Sequence, residues 1–147
     1  MKLESSSFEN NQNIPMTYSC DGDNINPPLE ISGVPKNAKS LALIMDDPDA
    51  PGGTFIHWFM WNITIDTKEI LEGDWPEGAE QGLNDRGELG YTGPCPPSGV
   101  HHYHFKLYAL SKKLDILPSS TKEELEKEIE NAFIAKSELV GIYSRQN

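Results

Sequence analysis

The stretch "SLALIMDD", residues 40 to 47, is a continuous apolar run that ends in two carboxylates and is followed by a proline. Without polar alternation, it reads as a strand buried on both faces, and that requirement limits the folds open to the chain. After "PDAPGGTFI" comes "HWFMWNITI", heavy in aromatic and β-branched residues, which predicts a second strand. "VHHYHFKLYAL" at 100 to 110 predicts another, and "ELVGIYSRQ" at 138 to 146 a last short one. The only helical signal is "SSTKEELEKEIENAFIAK", with Thr121 and Glu124 in capping-box spacing and Leu125, Ile129 and Ala132 or Phe133 at helical period. The pattern is mainly β and antiparallel, a sandwich or barrel with one C-terminal helix.

Long irregular passages connect these elements. Residues 9 to 37 are rich in Asn, Pro, Ser and Asp, the composition of turns, and leave room for only short strands. From Asp66 to Pro97, Gly, Pro, Asp and Glu dominate. That passage is too long for an idle connection, so it is expected to be functional or mobile. No internal repeat or low-complexity tract marks a boundary, and 147 residues fit one domain spanning 1–147.

Charge narrows the choice of partners. With 23 acidic against 12 basic side chains, a formal net charge of -11, the chain is repelled by nucleic acid and by anionic membrane surfaces. Nucleic-acid binding and stable membrane insertion are therefore not expected. "MKLESSSFENNQNIP" has no apolar segment of the secretory kind, and "LALIM" is too short to span a bilayer. A soluble, cytoplasmic protein is the expectation. Two cysteines, Cys20 and Cys95, are few for a secreted scaffold, and in a reducing cytosol their default state is the free thiol.

Alternate residues of a strand share a face. In "VHHYHFKLYAL", His101, Tyr103, Phe105 and Leu107 point one way, expected to be the core side, and His102, His104 and Lys106 the other. Leu41, Leu43, Met45 and Asp47 form a similar set with the carboxylate at the strand terminus, and His57 opens the next strand. Asp47, His57 and the His101/Tyr103 pair thus stand at strand ends beside stiff Pro/Gly loops. If the strands are neighbours, they converge on one pocket mouth.

"DPDAP" at 47 to 51, "HW" with Asn62 five residues past His57, and "GPCPP" at 93 to 97 followed by "HHYHFKLYAL" resemble the phosphatidylethanolamine-binding protein family, in its bacterial and archaeal Raf-kinase-inhibitor-like branch. "YSCDGDNINPPLEISGVP", "NDRGELGYTGPCPP" and "ELVGIYSR" extend the resemblance over nearly the whole chain, in order. It implies an antiparallel β-sandwich with a small anion pocket at one end that accepts phosphate-like head groups. The family's pocket positions fall on Asp47, Asp49, Pro51, His57, Gly93, Pro94, His101 and Tyr103. Where the family commonly has His-Arg-Tyr, this chain reads His101-His102-Tyr103, so a guanidinium is missing from the outward face.

A phosphate needs donors, and amides near Gly93, the imidazoles of His57 and His101 and the Tyr103 phenol are the candidates. At about 1.5 to 3 kcal/mol each, three or four such bonds suffice for micromolar binding. Asp47 and Asp49 fit such a site if one orients a histidine, caps loop amides or meets an ammonium. Anion binding is expected to strengthen as pH falls towards about 6, where the histidines gain charge.

Rival chemistries are weaker. His102 and His104 with Cys95 lack a third fixed metal ligand. "DGDNIN" lacks the glycine and glutamate of a calcium loop. Prolines around a Cys95/His101 nucleophilic pair leave little room for an oxyanion hole. The expectation is thus a non-enzymatic module, without cofactor or metal, that binds phosphate, phosphoethanolamine or a similar ligand, with regulation of a protein partner as a further expected role. The alternative is an inhibitor of a serine protease or kinase that works through the 66 to 97 loop, the pocket being incidental. A homodimer is also compatible with the sequence.

Overall fold

In a computed structural model, which describes residues 1–145, nine strands, one α-helix and one 3-10 turn follow in chain order. They are β1 (Lys2–Glu4), β2 (Gln12–Asn13), the 3-10 turn (Met16–Tyr18), β3 (Leu29–Ser32), β4 (Ser40–Asp47), β5 (Phe55–Ile63), β6 (Glu69–Ile70), β7 (Glu80–Gln81), β8 (His101–Leu110), α1 (Lys122–Ala132) and β9 (Phe133–Tyr143). A six-stranded sheet, in the order β2-β9-β8-β4-β5-β7, faces a three-stranded sheet, β1-β3-β6. Pairing is antiparallel except between the two residues of β2 and β9. The expected sandwich is present.

Every residue of β4 is buried. Its inward side chains Leu41, Leu43 and Met45 join Trp58, Met60, Phe105 and Leu107 against Leu3, Leu29 and Ile31 of the small sheet. The outward side chains Ala42 and Ile44 pack with Phe59 and Trp61 under Leu125, Ile129 and Ala132 of α1. A strand covered on both faces has no polar side, hence the unbroken apolar run.

Thr121 caps α1 by accepting from the Glu124 N–H at 3.2 Å, and Glu123 and Glu124 stand in the first turn, where the helix dipole favours negative charge. Three turns are marginal alone, so the buried Leu125 and Ile129, worth about 1.5 to 3 kcal/mol each, hold the helix in place.

The apolar period predicted helix as far as residue 136, but it stops at Ala132. Phe133 turns extended and exposed and starts β9. That strand has 11 residues rather than the short piece expected, because it pairs with β8 along its whole length, from Leu110↔Phe133 to His101↔Tyr143. Ladder bonds and cross-strand packing override the local preference. Gln146, the last residue of the expected strand, lies outside the described residues. Among the described residues no helix is long and apolar enough to cross a membrane.

Candidate functional site

Local backbone irregularities aim the side chains at one end of the sandwich. The β4–β5 register runs Met45↔Trp58 and then Asp46↔Ile56, so His57 is an extra residue in β5. Ile56 packs with the outer cluster and Trp58 with the inner one. This bulge breaks the alternation and turns His57 inward beside Trp58, the kind of re-aiming bulges provide next to sites. Asp47 ends β4. Its Oδ1 accepts the Asp49 N–H at 2.8 Å and its Oδ2 the Nδ1–H of His101, the first residue of β8, at 2.7 Å.

The imidazoles flank one phenol. The ring centroid of Tyr103 is 5.2 Å from His57, edge-on, and 6.4 Å from His101, stacked. His57 donates through Nδ1 to the Thr92 carbonyl at 2.8 Å. Each ring therefore has Nδ1 committed to the protein and Nε2 left for a ligand. Burial pushes the pKa of His57 below its ordinary value, against the opposing pull of the Thr92 carbonyl, Asp47, Asp85 and the Gly93 carbonyl. Its ring is neutral at pH 7, with Nε2 an acceptor that becomes a donor only on protonation. Burial, helped by Asp47 and Asp49, pushes the Tyr103 hydroxyl well up, while the Cys95 amide acts the other way. That hydroxyl is buried; the Cys95 amide approaches it without meeting hydrogen-bond geometry, and its own proton has no acceptor among the described residues.

Around these groups lies a cavity of about 260 Å3, small beside the pockets that take drug-sized ligands. Asp47, Pro51, His57, Gly93, His101 and Tyr103 line it, as do Phe55, Cys95 and Arg86. The expected convergence of distant segments is therefore present. Two expected residues stand apart from the wall. Asp49 turns outward, its Oδ2 accepting both the backbone N–H and the Nδ1–H of His102 at 2.8 Å. The His102 side chain, then its amide, hold the Asp49 carboxyl below the usual range. Asp49 thus clamps the Pro-rich turn to β8, and His102, on the outward side of that strand, leaves the inward pair untouched. Pro94 is structural too, its carbonyl accepting the Cys20 N–H at 3.0 Å.

Gly93 requires a second correction. Amides near Gly93 are expected to face an anion, but that of Gly93 itself donates to Asn24 Oδ1 at 2.7 Å and is spent. Glycine is needed there for space, since a Cβ would run into the Tyr18 carbonyl oxygen and Asn24 Oδ1. A third concerns the cysteines. Cys20 and Cys95 form a disulfide with Cα atoms 5.4 Å apart, not free thiols. The GPCPP loop folds onto the 3-10 turn, also held by Tyr91 Oη–H donating to the Tyr18 carbonyl at 2.6 Å, and this brings together sulfurs 75 residues apart in sequence. A thiol nucleophile at Cys95 is thereby removed. Disulfides persist in oxidising compartments or in hyperthermophiles, so cysteine usage lends no support to a cytoplasmic location.

Arg86 was missed by the sequence reasoning. It sits on the mouth as a half-exposed cation, 3.8 Å from Glu88. The one signal for it was a lone arginine in "NDRGE", inside the loop singled out for its length. His102 and His104 pair with Asp49 and Glu138, and no group of three metal-ligating side chains is found among the described residues.

The family model for phosphatidylethanolamine-binding protein matches residues 4–144. A UPF0098 protein of Pyrococcus abyssi is 52% identical over 151 residues, covering 97% of this chain and 84% of its own. Among solved structures, a phosphatidylethanolamine-binding protein homolog from Chlamydia trachomatis superposes with a TM-score of 0.94 at 42% identity, over 99% of this chain and 97% of that one. Escherichia coli YbcL, described as a member of the mammalian PEBP family, gives 0.92 at 31% identity over 99% and 98%.

Proposed function

From the premise that this chain belongs to the phosphatidylethanolamine-binding protein family, we propose that its end pocket binds a small phosphate-bearing group, inorganic phosphate or a phosphoethanolamine-like head group, without turnover. The observation that carries the reading is the Tyr103 hydroxyl, lining the cavity, buried and unpartnered. Leaving such a donor unsatisfied costs about 1 to 3 kcal/mol, a cost that a ligand oxygen removes. His57 and His101 offer Nε2 on either side, and Arg86 adds a cation at the mouth. Asp47 orients His101 and does not meet the anion directly. Binding rather than hydrolysis is supported by the cystine at Cys95 and by a phenol whose raised pKa keeps its proton.

Calorimetric titration with phosphate and phosphoethanolamine at several pH values tests this. Sulfate, whose charge stays constant over the range, is the control that isolates the protein's own titration. Affinity for all three is expected to rise as pH falls, and for His57 the gain continues below its ordinary range of about 6.5 because burial depresses its pKa. His57→Ala with His101→Ala should abolish binding, and Tyr103→Phe should weaken it by about tenfold, the value of one hydrogen bond to a charged group. Affinity for sulfate that is flat with pH and indifferent to these substitutions overturns the reading.

A further inference from the structure

A second hollow, about 520 Å3, lies along the loop that precedes the GPCPP wall. Trp75 and Leu89, 51% and 62% exposed, form its open lips, and Ile25, Asn26, Gln81 and Tyr91 line it with them. Leu71 and Leu83 of the same loop are exposed as well, and exposed Leu117 is next to Pro118, which also lines the hollow. Large apolar side chains in the open mark an interaction surface, and tryptophan is the commonest kind of anchor.

The polar groups are set by internal bonds. Gln81 Oε1 accepts the Trp58 indole N–H at 2.6 Å, so its Nε2 is the end left free. Asn24 Oδ1 is taken by the Gly93 amide, which frees its Nδ2 in the same way. Asn26 is buried; its Nδ2 donates to the Leu71 and Asp74 carbonyls at 3.1 and 3.0 Å, and its Oδ1 has no donor among the described residues. Two donors and an acceptor in fixed orientation match a polypeptide main chain. Gly90, at φ +93°, keeps the floor beside Gln81 Nε2 open, since a Cβ there would sit 3.3 Å from that nitrogen.

Charge decides the class of partner. Between residues 66 and 90 carboxylates outnumber basic side chains eight to two, and no lysine or arginine lines the hollow. Asp23, Asp74 and Glu88 each adjoin a lining residue in sequence, whereas Glu72 and Glu80, which also do, are turned to the Tyr18 hydroxyl and the Trp61 indole. A second copy of this chain, itself at -11, would bring like charge to that surface. We propose that the hollow docks an extended segment of a partner protein in which lysine or arginine neighbours an apolar residue, the apolar side chain against Trp75 and the cation among the carboxylates.

The test uses a fluorescent Lys-Leu-Pro-Lys-Leu-Lys peptide and its counterparts with Gln or Glu in place of Lys, followed by anisotropy. The Lys peptide should bind at least about tenfold tighter than the Gln peptide in about 0.05 M salt, with the margin shrinking in about 0.5 M. Trp75→Ala should weaken binding about tenfold and Trp75→Tyr by much less. Asp74→Asn with Glu88→Gln should lower affinity severalfold and flatten the salt dependence; Asn at 74 still accepts the Trp75 N–H. Near-ultraviolet circular dichroism from the buried Trp58 and Trp61 reports folding of each variant independently of any ligand. Absence of saturable binding, equal binding of the Glu peptide, or indifference to Trp75→Ala overturns the proposal. So does self-association that Trp75→Ala abolishes, which would give the surface to a second copy.

Discussion

The two hollows are neighbours joined by one side chain and are built on opposite plans. In the end pocket Asp47, His57 and His101 are 3%, 5% and 7% exposed, each locked by a hydrogen bond, and the wall is tied to the 3-10 turn by a disulfide. At the loop hollow the lips are more than half exposed, and the nearest regular structure is the two-residue β7 and a single Leu83↔Leu89 bridge. A preformed pocket recognises a small rigid group by orientation, with little ordering entropy to offset. An open surface draws on apolar area and long-range charge, and suits a partner large enough to cover it. Asn24 belongs to both, holding Gly93 with one end and lining the loop hollow with the other.

The strongest way to break the contrast is to cut the tie that only one region has. Replacing Cys20 and Cys95 by serine opens a loop of 75 residues, which should cost about 4 kcal/mol and lower the melting temperature by roughly 10 °C. Phosphate affinity should fall with it, because Cys95 is part of the pocket wall, while peptide affinity at the folded temperature should hold. A melting point that barely moves would mean that the hydrogen bonds around Tyr18 and Pro94 hold the wall unaided. Next comes Gly93→Ala. Its methyl group has no space against the Tyr18 carbonyl, so the wall must shift, at about 1 to 3 kcal/mol, read by chemical denaturation. Phosphate binding should drop sharply. Retained affinity with retained stability would show the wall to be softer than its packing implies.

How much of this was legible beforehand differs between the regions for the same physical reason. Strand periodicity placed Asp47, His101 and Tyr103, because alternation along a strand is local information and the end of a strand is visible in its composition; His57, expected to open its strand, is instead the third residue of β5 and faces inward through the bulge. The sandwich was readable from the run in β4 that needed covering twice. Three-dimensional commitments were not readable. Nothing local indicates that the Gly93 amide is spent on Asn24, that Asp49 turns to His102, or that Cys20 meets Cys95 across 75 residues. The bulge at His57 was equally hidden, being a property of the register with β4 and not of either strand alone. The helix end at Ala132 was misread because its apolar period runs on into a segment that β8 captures for its ladder. The loop from 66 to 97 announced itself by length, but not that it splits its residues between two hollows, with Arg86 on one and Trp75 on the other.

Acidification separates the two plans more gently. With its folded pKa depressed, His57 favours the folded state in its neutral form. Its contribution is complete above the unfolded value of about 6.5 and is lost as pH falls from there through the folded value. Asp49 and Asp21, both held low by hydrogen bonds, contribute above about 4 and lose that contribution only below it. The melting temperature should therefore begin to fall below about pH 6.5, and His57→Gln should remove this early decline without altering the one below pH 4. Saturating sulfate should oppose the early decline, since the anion binds the protonated ring. An early decline that survives His57→Gln would assign it to another group.

The smallest expected effect on stability is the one that characterises the loop hollow. Leu89 is 62% exposed, so Leu89→Ala should change the unfolding free energy by no more than about 0.5 kcal/mol. Its side chain nonetheless lines the hollow with Trp75, and its loss should weaken the Lys peptide severalfold while leaving phosphate titration at the end pocket unchanged. A residue that matters to a partner but not to the fold is what an open docking surface requires, whereas in the end pocket Gly93 serves both at once. If Leu89→Ala destabilised the chain as Gly93→Ala does, the exposed lips would be part of the scaffold and the two regions would follow one plan.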